Sequence, residues 1–147
     1  MKKLIVYTDG GSRGNPGPAA LGVLICNEKK QVIKEYSQYL GHLTNNEAEY
    51  EALIFAFKKI KALFGKKLAQ NSEIEIRSDS ELLVNQLNGK FKILEPKIQK
   101  LFLRAWNLKL DFKKVKLRLI RREKNIEADK LVNEALDSQN RTQQLNV

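Results

Sequence analysis

Asp9, Glu49, Asp79 and Asp129 stand at the ends or on the inner faces of predicted elements, where a packed domain has no need of acids. Carboxylates gathered without arginine partners repel one another and need cations. An all-oxygen set suits hard ions such as magnesium or manganese. If the four meet in space, they can hold two divalent ions about 3.5–4 Å apart, the arrangement used for in-line attack on phosphorus.

Glu49 carries the sharpest argument. At about 100° per residue, with Glu49 at zero, Leu53 falls near +40°, Ala56 near −20°, Ile60 near +20° and Leu63 near −40°. Glu49 is thus centred on the buried stripe, while Glu47 and Glu51 lie on roughly the opposite side. A carboxylate facing a core is costly unless it is paired or metal-bound. Glu47 already has a structural role, because Thr44-Asn45-Asn46-Glu47 reads as a capping box. Asp9 follows the apolar run Leu4-Ile5-Val6-Tyr7, and Asp79 follows the alternating run Glu73–Arg77. If those strands are parallel neighbours, both acids lie at carboxyl ends, where open α/β sheets bind ligands. Taken singly, Asp79 could cap a short helix and Asp129 could be a first-turn acid favoured by the helix dipole.

The elements that must position these acids follow from periodicity and punctuation. Strands are expected at 4–8, 20–26, 32–40, 72–77 and 114–119. Helices are expected at 45–64 with Gly65 as the stop, 81–88, 96–110 with Pro96 in the first turn, and 125–136. The order β-β-β-α-β-α-α-β-α implies an α/β fold, with a mixed sheet covered by helices. Residues 1–137 read as one domain, and 138–147 as a frayed polar tail.

Composition narrows the partner. The chain has 147 residues and a net charge of +10. The segment Lys90–Lys124 holds thirteen basic residues and three acids, so the whole excess falls in that quarter of the chain. Such clustering favours a nucleic-acid surface. No stretch approaches the roughly 18–20 apolar residues of a bilayer span, no signal peptide is evident, and the single Cys26 reads as a small buried strand residue. The expected location is the cytoplasm.

Four blocks resemble the signatures of ribonuclease H type 1: Tyr7-Thr8-Asp9-Gly10-Gly11-Ser12-Arg13-Gly14-Asn15-Pro16-Gly17, Thr44-Asn45-Asn46-Glu47-Ala48-Glu49, Ser78-Asp79-Ser80, and Arg122-Glu123-Lys124-Asn125-Ile126-Glu127-Ala128-Asp129. The last has the form common in the archaeal-type branch. The resemblance runs from about Lys3 to Leu136. It implies a five-stranded mixed sheet of order 3-2-1-4-5 flanked by helices. It further implies hydrolysis of the RNA strand of RNA–DNA hybrids with two magnesium or manganese ions, leaving 5′-phosphate and 3′-hydroxyl ends. Asp9, Glu49, Asp79 and Asp129 would be the metal ligands. Gly10, Gly11, Ser12, Arg13, Asn15, Thr44, Asn45, Ser80 and Glu81 would contact substrate.

Three departures from the family pattern stand out. The stretch Ile120-Arg121-Arg122-Glu123-Lys124 lacks the histidine that bacterial members often carry, which shifts catalytic weight to Arg122. His42, the one histidine, reads as a loop residue. Gly89 to Pro96 is too short for the basic protrusion of bacterial members, and Trp106 reads as core rather than a base-stacking platform. Glu81 stands where many members have a neutral residue. The expectation is a standalone, monomeric ribonuclease H. A non-catalytic hybrid-binding module and the ribonuclease H module of a reverse transcriptase are the alternatives. Met1, just ahead of the first strand, favours the standalone form over the latter.

Overall fold

The computed structural model describes residues 2–145, with side chains through Thr142. Five strands, β1 (Lys2–Ser12), β2 (Gly17–Asn27), β3 (Val32–Leu43), β4 (Ser72–Ser78) and β5 (Lys114–Leu119), form one sheet of order β3-β2-β1-β4-β5. The first three make an antiparallel meander, while β4 and β5 add in parallel to β1. The expected order of elements and the mixed sheet are both present.

Helix α1 (Asn45–Gln70) begins with the capping box read from the sequence: Thr44 Oγ1 accepts from the Glu47 N–H, and Glu47 Oε1 accepts from the Thr44 N–H. Gly65, at φ 81°, breaks the helical path, so the expected stop is a kink that the chain crosses before a last turn to Gln70. Helix α2 (Glu81–Leu87) starts at Ser80, whose hydroxyl accepts from the Leu83 N–H. Helix α3 (Pro96–Lys109) opens on Pro96, which has no N–H to leave unsatisfied. Helix α4 (Ile126–Leu145) runs past its expected end at 136. Residues 138–145, read as a frayed tail, continue this helix, because no glycine or proline interrupts it; residues 146–147 lie outside the described residues.

The main core lies on one face of the sheet. Leu4, Val6, Leu21, Val23, Ile25, Ile74 and Ile76 meet Leu53, Ala56, Phe57 and Ile60 of α1. The other face is only partly covered, where α4 lays Val132 and Leu136 on Ala20. Beside it Ile5, Leu24, Cys26 and Tyr7 form a small cluster. Trp106 departs from expectation. It is 38% exposed and stacked on Phe102, with Lys109 Nζ 4.1 Å from its ring centre. The buried line of α3 passes through Ile98 and Ala105 instead, which places Trp106 at the edge of that stripe.

Candidate active site

Two close backbone approaches bring the acids together. A Cβ on Gly10 would lie 2.2 Å from the Ala48 carbonyl oxygen, so the end of β1 meets α1 only because residue 10 lacks a side chain. That contact sets Asp9 against Glu49, the residue after Ala48. On the opposite side of the sheet, Gly22 is the cross-strand partner of Asp9. A Cβ there would lie 2.2 Å from the Ala128 carbonyl oxygen. This second contact brings the first turn of α4, and with it Asp129, up to β1. Asp79 arrives by topology, since it directly follows β4, the parallel neighbour of β1.

Asp9, Glu49 and Asp79 each present a carboxylate oxygen, all within 4.8 Å of one another. Asp129 is exposed at the rim and adds its charge to the fields at Asp9 and Asp79. Glu49 is 8% exposed, and its Oε2 is buried with no hydrogen-bond partner. An orphaned buried carboxylate oxygen beside two other acids is the donor set of a hard divalent cation, and the residues fit such an ion. The electrostatics agree. Burial raises the Asp9 carboxyl to about 7, with Asp79 and Asp129 adding repulsion. Burial, then Asp9, pushes Glu49 well above the usual carboxylate range. Burial also raises Asp79, against the pull of Arg122.

The acids line an open cleft of about 690 Å³. Gly10, Gly11, Ser12, Arg13, Asn45, Ser80 and Glu81 line it too, so most of the residues expected to contact substrate share one surface. Asn15 and Thr44 are not among the residues that line it, but each adjoins Asn45, which does. Asn15 Oδ1 accepts from the Asn45 N–H at 3.0 Å, and the Ser12 N–H donates to Asn45 Oδ1 at 2.9 Å. Arg13 turns toward α4, donating to Asp137 at 2.7 Å and to Asn133 at 3.3 Å. Arg122 lies in a single 3-10 turn between β5 and α4, its side chain 92% exposed and its Nε 3.9 Å from Asp79 Oδ2.

Sequence reading missed Asn125. It is 1% exposed, and its Nδ2 donates to the Thr8 carbonyl at 2.9 Å. Its own carbonyl accepts from the Asp129 N–H, and its side chain lowers the Asp79 carboxyl. It thus ties the start of α4 to β1 one residue before Asp9. The available signal was its place four residues ahead of Asp129, at the mouth of a predicted helix. Asn133 was missed as well. It donates to the Asp129 carbonyl at 3.1 Å and accepts from Arg13, linking the glycine-rich segment to the outermost acid.

Comparison with known proteins agrees with this geometry. The family described as reverse transcriptase-like matches residues 7–135. The ribonuclease HI of Halobacterium salinarum is 40% identical over 131 residues, covering 89% of this chain and 63% of that protein. The bifunctional protein Rv2228c of Mycobacterium tuberculosis is 35% identical over 137 residues, covering 92% of this chain. The chain spans 36% of that relative's length. Among solved structures, LC11-RNase H1, isolated from compost, has been solved with an RNA/DNA hybrid. In that complex it superposes with a TM-score of 0.88 at 47% identity, covering 92% of this chain and 97% of that one. With a family model matching most of its length and solved relatives sharing its five-stranded fold, the chain belongs to the ribonuclease H type 1 family.

Proposed function

We propose that this protein is an endoribonuclease that hydrolyses the RNA strand of RNA–DNA hybrids. The observation that carries this reading is the trio of buried Asp9, buried Glu49 and half-buried Asp79, with an unpartnered oxygen on Glu49 and with Asp129 alongside. A protein that only bound hybrid would gain nothing from carboxylates facing phosphate. Relatives named ribonuclease H support the same reading, as does the hybrid bound to LC11-RNase H1.

Two magnesium or manganese ions bound by Asp9, Glu49, Asp79 and Asp129 would supply a water acidified to act near neutral pH and would neutralise charge on the leaving oxygen. The residues do the rest. Asp9, late in β1, and Asp79, just past its parallel neighbour β4, would hold those ions where they can meet the scissile phosphate. Glu49, held on a rigid helix, keeps its carboxylate aimed at them. Arg122 reaches over Asp79 from outside and meets the developing negative charge on phosphorus. Attack by water on phosphorus, with departure of the 3′-oxygen, leaves 5′-phosphate and 3′-hydroxyl ends. Backbone groups of Gly10 and Gly11, with Ser12, read the RNA 2′-hydroxyl. Asn15, Asn45, Ser80 and Glu81 meet the groove, while Thr44 offers a phosphate the positive end of α1. Arg13 reaches the strand by leaving Asp137. The protein acts as a cytoplasmic monomer. Among the described residues, no helix is long and apolar enough to cross a membrane, and Cys26 is a free, buried thiol.

Matched RNA–DNA, RNA–RNA and DNA–DNA duplexes, incubated with and without magnesium, test the proposal. The hybrid should be cut only with metal, and Asp79→Asn should abolish turnover while leaving the circular dichroism spectrum intact. Absence of metal-dependent hybrid cleavage sinks it.

A further inference from the structure

The sheet face that α4 leaves uncovered carries two adjoining grooves outside the acidic cleft. One, of about 340 Å³, is lined by Tyr7, Lys30, Arg77, Arg118, Ile120 and Lys124. Four of these lining residues are cations and none is an acid. The arrangement is preorganised: Arg77 donates to Glu75 at 2.7 Å and to the Tyr7 hydroxyl at 2.9 Å, and its guanidinium stands 5.5 Å from the Tyr7 ring centre. Arg118 approaches the same Glu75 carboxylate at 3.8 Å. One buried acid therefore anchors two guanidinium groups, and a net positive charge remains facing the groove.

The second groove, of about 400 Å³, shares Tyr7, Lys30 and Lys124 with the first. Its walls are Leu24, Cys26, Val32 and Ile126, and Val32 and Ile126 are 57% and 59% exposed. Glu123 and Glu127 line it as well. A cationic end joined to an apolar end, with carboxylate acceptors alongside, matches a phosphate joined to a nucleobase that carries an N–H donor. Volumes of about 340 and 400 Å³ are on the scale of a small-molecule site and suit a single nucleotide.

We infer that this paired groove binds one unpaired nucleotide, its phosphate among Arg77, Arg118, Lys30 and Lys124 and its base against Leu24, Val32 and Ile126. Tyr7 lies two residues before Asp9 in β1, Arg77 of β4 lies two residues before Asp79, and Lys124 belongs to the turn that carries Arg122, so the groove adjoins the acidic site. Two sources offer this chemistry: an unpaired strand end continuing from the cleaved duplex, and a released 5′-mononucleotide. The site is separate from the four acids and needs no turnover.

Binding is measured by fluorescence anisotropy with a single-stranded oligothymidylate and by calorimetry with uridine 5′-monophosphate, both in EDTA so that the acidic cleft holds no metal. Lys30→Glu, Val32→Glu and Arg118→Glu are compared with wild type, with melting temperature as the fold control. A loss of about ten-fold in oligomer affinity, roughly 1.4 kcal/mol, supports the strand end. The same loss for the mononucleotide supports the released product. Cleavage of a blunt hybrid by Lys30→Glu and Val32→Glu should match wild type. Unchanged affinity for both probes overturns the inference, and so does an equal loss on the blunt hybrid. Failure of hybrid cleavage in wild type would leave these binding results standing, so the two readings fail separately.

Discussion

At the scale of single residues, the site is held in a state that burial opposes. Asp9 titrates near 7 in the folded chain without metal, against 3.8 when unfolded. Between those values the folded state holds a proton that the unfolded state has released. The group's contribution to stability is therefore full below about pH 4 and is lost as pH rises through about 7. Asp9→Asn should melt above wild type at pH 8 in EDTA, by roughly 5 °C. The gap should narrow toward pH 4 and close or reverse when magnesium is added to wild type. A variant melting below wild type at pH 8 in EDTA would contradict this account. Arg122 is a different case, being exposed and 3.9 Å from Asp79. Arg122→Ala should lower kcat about ten-fold with little change in KM, since its charge matters most as charge develops on phosphorus. An effect confined to KM would make it a simple phosphate contact. Glu49 was legible because a carboxylate centred on an apolar stripe has few innocent explanations; Asp9, Asp79 and Asp129, each explicable alone as a turn, cap or first-turn acid, were legible only as a set with it. Asn125 was not, because an asparagine before a helix has several, and only its burial and its bond to Thr8 distinguish it.

At the scale of elements, the site depends on how closely two helices approach the sheet. Gly22→Ala would place a methyl 2.2 Å from the Ala128 carbonyl oxygen, and backbone cannot yield as a side chain tip can. The expected cost is about 1–3 kcal/mol of stability, with a larger loss of activity as Asp129 is pushed outward. Chemical denaturation and hybrid cleavage, measured together, check this. Activity retained at wild-type level would show that Asp129 does not need its present position. The sequence carried the strand periodicities, the capping box at Thr44 and the proline start of α3 in plain view. Strand and helix ends were less visible. β1 runs on through the glycine-rich segment to Ser12, because Gly10 and Gly11 keep their ladder to Ala20 and Leu21. α4 continues through polar residues whose composition alone suggested fraying. Local composition reports propensity, whereas these ends are decided by pairing and by the absence of a stop.

For the whole molecule, charge and architecture act together. The excess of +10 falls within Lys90–Lys124, which spans α3, β5 and the turn bearing Arg122. Hybrid affinity, measured in calcium or with Asp79→Asn, should fall with salt at a log–log slope steeper than about −3, corresponding to several phosphate contacts. A flat salt dependence would remove this segment from the interface. The fold class and the mixed sheet were legible because a meander followed by crossovers leaves few topologies, while the strand order was legible only through the family resemblance. The uncovered face of the sheet was not, since period-two patterning shows which residues share a side and not whether a helix will cover them.

The strand β3 has one further consequence, for how concentrated solutions of this protein behave. It forms an end of the sheet, and its twelve residues include the exposed Val32 and Ile33. An open edge of that length is a template for pairing with another copy. Mutual repulsion between molecules of like charge holds such edges apart. Light scattering should therefore stay monodisperse at low ionic strength and show growing particles in molar salt. Val32→Lys should delay that growth by placing a charge on the edge itself. The polyanion that draws on the same charge removes the repulsion as it binds, so the protein is least soluble when nearly neutralised by substrate.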